Sequence, residues 1–256
     1  TSETAITVCT YGADEMVNVG DFWIDRYEDA LVPASTWNGG TCDGSGSPYA
    51  SSGGASPTDD YPSGFPDNGN FTTGVFACSV AGVVPSRMMT WFQAQQACAL
   101  AGKRLCRNGE WQAAVAGTVD PGSSSGAGGA CLTSAGAPRA TGGGTACRSA
   151  YGAEDMIGNL WEWVEDWGQS NLTWQGSNGQ GATPWPAGYG DGGDMTWSVN
   201  GSAHNGSAYT NGNPAAAIRG GSWLDGAAAG AFALYLVSGP SDVSTAVGAR
   251  CCAGAK

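Results

Sequence analysis

The sequence predicts a single loop-rich α+β domain, and three observations carry that reading. Helix start and stop signals occur twice in close succession, at residues 90–102 and 108–117. Short runs with period-two alternation or dense aromatics lie on either side of them. Forty-three glycines and only 12 % charged residues leave little room for long amphipathic helices, whereas 11 Trp and 41 % hydrophobic content exclude a disordered chain. At 256 residues the chain is long enough to bury a sizeable core.

Taken in order, Asp21-Phe22-Trp23-Ile24-Asp25-Arg26-Tyr27-Glu28 is a short aromatic-rich strand ending in charges. Residues 34–74 are rich in Ser, Gly, Pro, Asn and Asp and form a long irregular insertion, pinned through Cys42. Thr90-Trp91-Phe92-Gln93 fits a capping box, and Gly102 fits the stop of the same helix. Trp91, Ala94, Cys98 and Ala101 share one stripe of that helix and should face the core. A second, shorter helix is expected with Asn108 as N-cap, running through Glu110-Trp111-Gln112-Ala113-Ala114 and stopping at Gly117. In the Gly/Ser-rich residues 118–150, Cys131 and Cys147 stand sixteen positions apart. A disulfide between them would staple the loop, a contribution on the order of 3 kcal/mol. Tyr151 to Trp167 is dense in Trp and carboxylates, and residues 168–217 are a polar excursion carrying the single histidine, His204.

The C-terminal stretch has firm ends, Arg219-Gly220-Gly221-Ser222-Trp223 and Gly248-Ala249-Arg250-Cys251-Cys252. Between them the alternation predicts a strand, with Phe232, Leu234 and Leu236 on the core face and Ala231, Ala233, Tyr235 and Val237 outside. Gly239-Pro240-Ser241 is a turn, and a last strand spans Val247 to Cys251. From Leu224 to Ala249 the only ionisable acids or bases are Asp225 and Asp242, apart from the Tyr235 phenol, so acid–base chemistry would need partners from elsewhere. A contact surface needs only exposed small, aromatic and polar side chains, which favours binding.

The formal charge of −12 would repel phosphate backbones and anionic membranes, and no run reaches the about 20 apolar residues of a membrane span. No nucleic-acid partner and no direct membrane insertion are therefore expected. Nine cysteines without paired CxxC spacing point to disulfides in an oxidising compartment, with buried free thiols as the alternative. The expected location is extracellular or the cell surface, and the odd count leaves one thiol unpaired or paired between chains. With neither an initiator Met nor a signal peptide at its start, the chain is expected to be a processed or truncated form.

Four blocks then resemble a known family. Gly102-Lys103-Arg104-Leu105-Cys106 with Glu110-Trp111, Asp155-Met156-Ile157-Gly158-Asn159-Leu160-Trp161-Glu162-Trp163, Arg219-Gly220-Gly221-Ser222-Trp223 and Gly248-Ala249-Arg250-Cys251 are similar, in content and order, to the formylglycine-generating-enzyme (sulfatase-modifying factor) superfamily. The strand at Phe22 to Glu28 resembles that family's opening strand. The resemblance implies a C-type-lectin-like fold of the formylglycine-generating-enzyme type, loop-rich, with two short helices and twisted antiparallel sheets. The enzymes of the family carry a copper-binding cysteine pair shortly after the Arg-Gly-Gly-Ser block. Trp223 to Gly230 contains no cysteine here, so thiolate copper chemistry is not expected. Nor does one His supply the histidine-based site of the related iron-dependent sulfoxide synthases.

A nearer resemblance is to the variable proteins of diversity-generating retroelements, whose segment after Arg-Gly-Gly-Ser-Trp is rewritten by mutagenesis and displayed on the lectin-like fold. It implies one domain over 1–256, with a scaffold at 1–218 and a variable ligand-binding segment at 219–252. The implied diversified residues are Leu224, Asp225, Ala228, Tyr235, Val237, Ser238, Asp242, Ser244, Thr245 and Ala246, and the implied anchors are Arg219, Gly220, Gly221, Ser222 and Trp223. Ala249 departs from the aromatic usual before the closing Arg-Cys. The expectation is a non-enzymatic receptor- or adhesin-like binding protein whose ligand is a protein or cell-surface molecule. The alternative is an enzyme or accessory domain of the same superfamily using an unrecognised site.

No cofactor is required by this reading. Oxygen-rich loops in the superfamily often hold calcium, which makes Asn159 and Glu162 candidate ligands of a structural calcium, against a hydrogen-bonded turn under the Trp cluster. Glu154, Asp155, Glu165 and Asp166 are read as a solvated acidic face rather than paired glycosidase carboxylates. Trp161, Trp163 and Trp167 are read as core rather than sugar-stacking rings, and His204 lacks a nucleophile-elbow motif to serve.

Overall fold

The computed structural model describes residues 7–37, 42, 47–67, 69–170, 196–197, 203–204 and 213–254. Four N-terminal strands, β1 (Val8–Tyr11), β2 (Asp14–Asn18), β3 (Phe22–Asp25) and β4 (Ala30–Pro33), lead into a single helical turn, α1 (Ala34–Trp37). After the long insertion come β5 (Val75–Cys78), α2 (Trp91–Leu100), β6 (Arg104–Leu105) and α3 (Asn108–Ala114). The second half holds β7 (Trp161–Ser170), β8 (Thr196–Trp197), β9 (Ala203–His204), β10 (Asn213–Arg219), β11 (Leu234–Tyr235), β12 (Val247–Ala249) and β13 (Cys251–Gly254). His204 lies on β9, but its side chain falls outside what the structure describes.

Two sheets organise the molecule, a five-stranded one in the order β1-β2-β3-β13-β6 and a four-stranded one in the order β11-β10-β7-β12. β12 runs parallel to β7 and β13 antiparallel to β3 and β6, so the chain's last residues join the two sheets through Arg250. The last strand predicted at Val247–Cys251 is thus two strands broken at Arg250, whose side chain is wholly buried.

α2 begins with the predicted capping box: Thr90 Oγ1 accepts from Gln93 N at 3.2 Å and Gln93 Oε1 accepts from Thr90 N at 2.9 Å. It ends at Gly102, whose φ of 73° suits glycine at a helix stop. Its buried face is Phe92, Gln93, Ala94, Ala97 and Cys98, and Trp91 is only partly covered. In α3 the N-cap is Arg107 rather than the predicted Asn108, because Glu110 Oε2 reaches back to accept from Arg107 N at 2.9 Å.

Four disulfides use eight of the nine cysteines, Cys42–Cys78, Cys98–Cys251, Cys106–Cys252 and Cys131–Cys147, which leaves Cys9 as the odd one. The first pins the insertion as expected, and the last closes the predicted 131–147 staple. The two between them fasten the vicinal pair on β13 to α2 and to the turn before α3. Among the described residues no helix is long and apolar enough to cross a membrane.

One predicted element fails. The strand expected over residues 231–237 shrinks to the two residues of β11, and Phe232 and Leu234 are 86 % and 43 % exposed instead of facing the core. β11 is an edge strand that pairs with β10 only at Ile218–Tyr235 and Arg219–Leu234, and both of its residues are exposed, so the predicted alternation meets no covered face there. Leu236 alone of the predicted inner face packs against the core.

Candidate functional site

The segment that leaves β10 at Arg219 and returns at β12 is held through its backbone while many of its side chains point outward. Arg219 is buried, lies over the Trp111 ring at 4.6 Å, and donates to the carbonyls of Ala233 at 2.9 Å and Ala231 at 3.2 Å and to Gln112 Oε1. Burial lowers the pKa of its guanidinium. Gly220 and Gly221 turn the chain with φ of 92° and 85°. Side chains are barred there by space as well, since a Cβ on Gly221 would stand 2.4 Å from Ala229 Cβ. Ser222 N and Oγ both donate to Asp225 Oδ2, at 2.7 and 2.6 Å, closing a local turn. Trp223 packs on Leu132 and Leu160 and its backbone N donates to Asn159 O at 2.9 Å, while Gly226 N donates to Thr133 O at 2.7 Å. The disulfide-stapled loop therefore underlies the segment.

The return path is tied to the scaffold before and at the start of α2. Gly239 N donates to Asp242 Oδ2 at 3.0 Å, Trp91 N to Pro240 O at 3.0 Å, and Met88 N to Ser244 O at 3.1 Å. Arg87, fully buried, donates to Thr245 O at 3.3 Å as well as to Ser52 O and Gly54 O. Met88 holds its position with a φ of 57°, a conformation rarely adopted by a side-chain-bearing residue.

Between the two ties lies a cleft of about 850 Å³. Its lining includes Leu224, Asp225, Ala228, Tyr235, Ser238, Asp242, Ser244, Thr245 and Ala246, nine of the ten residues predicted to be diversified; Val237 is not among them. Leu224 and Tyr235 are open to solvent, whereas Asp242 and Ala246 are only 5 % and 6 % exposed. Asp242 turns its carboxylate into the 239–242 turn, and Ala246 packs beside Val247, so both shape the wall more than they offer free contact area. Val237 is half-buried beyond the lining.

The scaffold supplies a share that sequence reasoning missed, Met88, Trp161, Trp163 and Ile218, and Val247 adds to it from the far end of the variable segment. Trp-Glu-Trp on β7 was the available signal, because period two sends Trp161 and Trp163 to one side and Glu162 to the other. Trp163 is 1 % exposed, as expected of a core ring; Trp161 is only partly covered and meets the Tyr235 ring at 6.1 Å and 48°. Trp167, read as core, is 39 % exposed and sits edge-on to Trp91 at 5.1 Å.

On the opposite side of β7, Glu162 is wholly engaged. Its carboxylate accepts from Arg250 Nη2 at 2.7 Å, Arg250 Nε at 2.8 Å and Trp111 Nε1 at 2.7 Å. Asn159 donates its amide to Glu28 Oε2 and accepts from Arg139 N at 2.9 Å. The candidate calcium oxygens thus face N–H donors, and an arginine on the Glu162 carboxylate is the opposite of what a divalent cation requires. These two residues do not fit a calcium site: Asn159 sits in a hydrogen-bonded turn at a φ of 57°, and Glu162 on β7 is held by Arg250 and Trp111. Burial and the nearby Asp155 and Glu162 carboxylates push Glu28 well above the usual carboxylate range.

The acidic face is also corrected. Glu154 and Asp155 are buried and paired with Arg26 at 3.1 Å and with Arg139, and only Glu165 and Asp166 lie at the surface. Asp29, Cys98 and Cys251 converge, but both sulfurs are joined in a disulfide and offer no thiolate to a metal.

The family model for "Sulfatase-modifying factor enzyme 1-like domain" matches residues 73–255. No curated protein matches the chain. Among solved structures, the Major Tropism Determinant M1 variant superposes with a TM-score of 0.53 at 24 % identity over 93 % of this chain. The P3c variant gives 0.52 at 23 % over 97 %, and the I1 variant 0.51 at 25 % over 93 %. The chain spans about half the length of these structures, 52 %, 55 % and 52 % respectively. The fold is therefore the C-type-lectin-like fold of the formylglycine-generating-enzyme type, with three short helices among the described residues where two were expected.

Proposed function

Because the chain belongs to the family of sulfatase-modifying factor enzyme 1-like domains, we propose that it uses the family fold as a rigid frame for a non-enzymatic binding protein, the variable protein of a diversity-generating retroelement. Residues 219–252 present the contact surface, and the ligand is a protein or cell-surface molecule. The observation that carries this is the convergence of nine residues, nominated from sequence alone, on one cleft whose backbone is fastened by Arg219, Gly220, Gly221, Arg87 and Met88. A frame that binds backbone and leaves side chains outward tolerates side-chain replacement.

Among the described residues the cleft lining carries no thiol and no imidazole, which supports binding over the oxidative chemistry of the family's enzymes. Four disulfides support an extracellular or cell-surface location. Likeness to proteins named as tropism determinants supports a receptor- or adhesin-like role.

The test is to sequence this gene across its natural population and count replacements by position. Concentration at Leu224, Asp225, Tyr235, Ser238 and Ser244, with Arg219 to Trp223 and Trp161 fixed, is the expected result. Replacements spread evenly along the chain would overturn the reading.

A further inference from the structure

We propose that the cleft selects a polypeptide segment in which an arginine or lysine is flanked by apolar side chains; this rests on the reading of the cleft as the binding surface. Two features of the lining carry it. The floor is apolar, built from Met88, Trp161, Ile218 and Val247, with Tyr235 tilted against Trp161 to form an aromatic corner that accepts a cation over a ring face. Among the described residues the charge in the wall is of one sign: Asp225 and Asp242 line the cleft, and no Lys, Arg or His does.

The rest of the molecule reinforces that sign. Six of the ten Lys and Arg side chains are ion-paired with carboxylates, namely Arg26, Lys103, Arg104, Arg107, Arg139 and Arg250. Arg87 and Arg219 are buried and donate to backbone carbonyls. Eight of the described cations are thus already engaged within the chain, Arg148 standing exposed, and a formal charge of −12 draws cations toward the cleft. An anionic partner meets repulsion there. A glycan is disfavoured by the described lining, among whose residues no Asn, Gln, Glu, Arg or Lys is present to share among several hydroxyls. A peptide fits better, its aliphatic residues on the floor and its cation between the aromatic corner and Asp225.

The experiment pans a random-peptide phage library on the full, disulfide-intact chain, then measures synthetic copies of the enriched peptides by fluorescence anisotropy. The proteins compared are wild type, Tyr235→Ala and Asp225→Asn, the last keeping an acceptor for Ser222 while removing the charge. Thermal melts confirm that each variant is folded. The expected result is enrichment of Arg- or Lys-containing peptides with apolar neighbours. Replacing the Arg by citrulline should weaken binding about tenfold, as should Tyr235→Ala. Asp225→Asn and high salt should weaken it severalfold. Enriched peptides without a cation that still lose binding in Tyr235→Ala overturn this inference and leave the cleft reading standing, as does a glycan-array ligand with the same dependence. Cationic peptides indifferent to citrulline, salt and Asp225→Asn overturn it too. No enrichment, or binding untouched by Tyr235→Ala, overturns the inference and counts against the cleft itself.

Discussion

Glu162→Gln is the substitution whose cost follows most directly from the structure. The Glu162 carboxylate and the Arg250 guanidinium are 1 % and 0 % exposed and meet in a two-point contact at 2.7 and 2.8 Å. At roughly 4 Å between charge centres and an effective dielectric near 20, their attraction is about 4 kcal/mol. The amide keeps the side chain's shape but turns an N–H toward a guanidinium, leaving a buried charge without its counter-ion. Arg250 keeps the carbonyls of Asp25, Arg26 and Glu154, which hold it in place without neutralising it. Breaking such a pair costs about 3–5 kcal/mol. For a chain of this size that is a fall of about 6–20 °C in Tm, read by calorimetry or by guanidinium unfolding with disulfides intact. The double variant Glu162→Gln with Arg250→Met should lose much less than the two single losses added, because each single loss counts the same interaction. The loss should also be identical in calcium and in chelator. A Glu162→Gln protein as stable as wild type, or one whose deficit vanishes when calcium is removed, would refute the assignment of Glu162 to Arg250.

The vicinal cysteines give a second outcome. Cys98–Cys251 and Cys106–Cys252 each close a long loop, 153 and 146 residues, but while one stands the other closes a ring of only about ten residues. Replacing either pair by Ala should therefore cost about 3 kcal/mol and replacing both about 8 kcal/mol in denaturant unfolding, and simple additivity of the single losses would contradict that account. Gly221→Ala should cost about 2–5 kcal/mol because its Cβ would meet Ala229, whereas Gly82→Ala, at a similar φ of 83° with nothing within 4 Å, should cost about 1 kcal/mol; equal losses in thermal melts would refute the steric part. Burial, outweighing the Lys103 ammonium, raises Asp25 from 3.8 to about 6, so between those values the folded protein holds a proton that the unfolded chain has released. Asp25 therefore makes stability fall as pH rises through that window, and the slope of the unfolding midpoint against pH should be shallower in Asp25→Asn; parallel slopes would count against it.

Several parts of this molecule were legible locally. The capping box at Thr90–Gln93 and the stop at Gly102 lie within a few residues of what they satisfy, so α2 could be read without its neighbours. The 131–147 disulfide joins cysteines close in sequence. The cleft's C-terminal half was legible for another reason: its residues follow one another between two recognisable anchors, and the resemblance supplied their positions.

What the sequence by itself determined, then, is an α+β frame, the anchors of the C-terminal segment and the small, aromatic and acidic character of what lies between them. Tertiary structure decided the rest, because the deciding partners are distant in sequence. Asn159 and Glu162 look like hard-cation ligands until Glu28, 131 positions away, and Arg250, 88 positions away, are brought to them. Residues 231–237 alternate like a half-buried strand, yet alternation states only that two faces differ. Which face is covered depends on what packs against it from elsewhere in the chain, and Phe232 and Leu234 stay exposed. The floor of the cleft was invisible for the same reason: Met88, Trp161 and Ile218 belong to different parts of the chain and become one surface only when β7 and β10 pair and the approach to α2 closes over them.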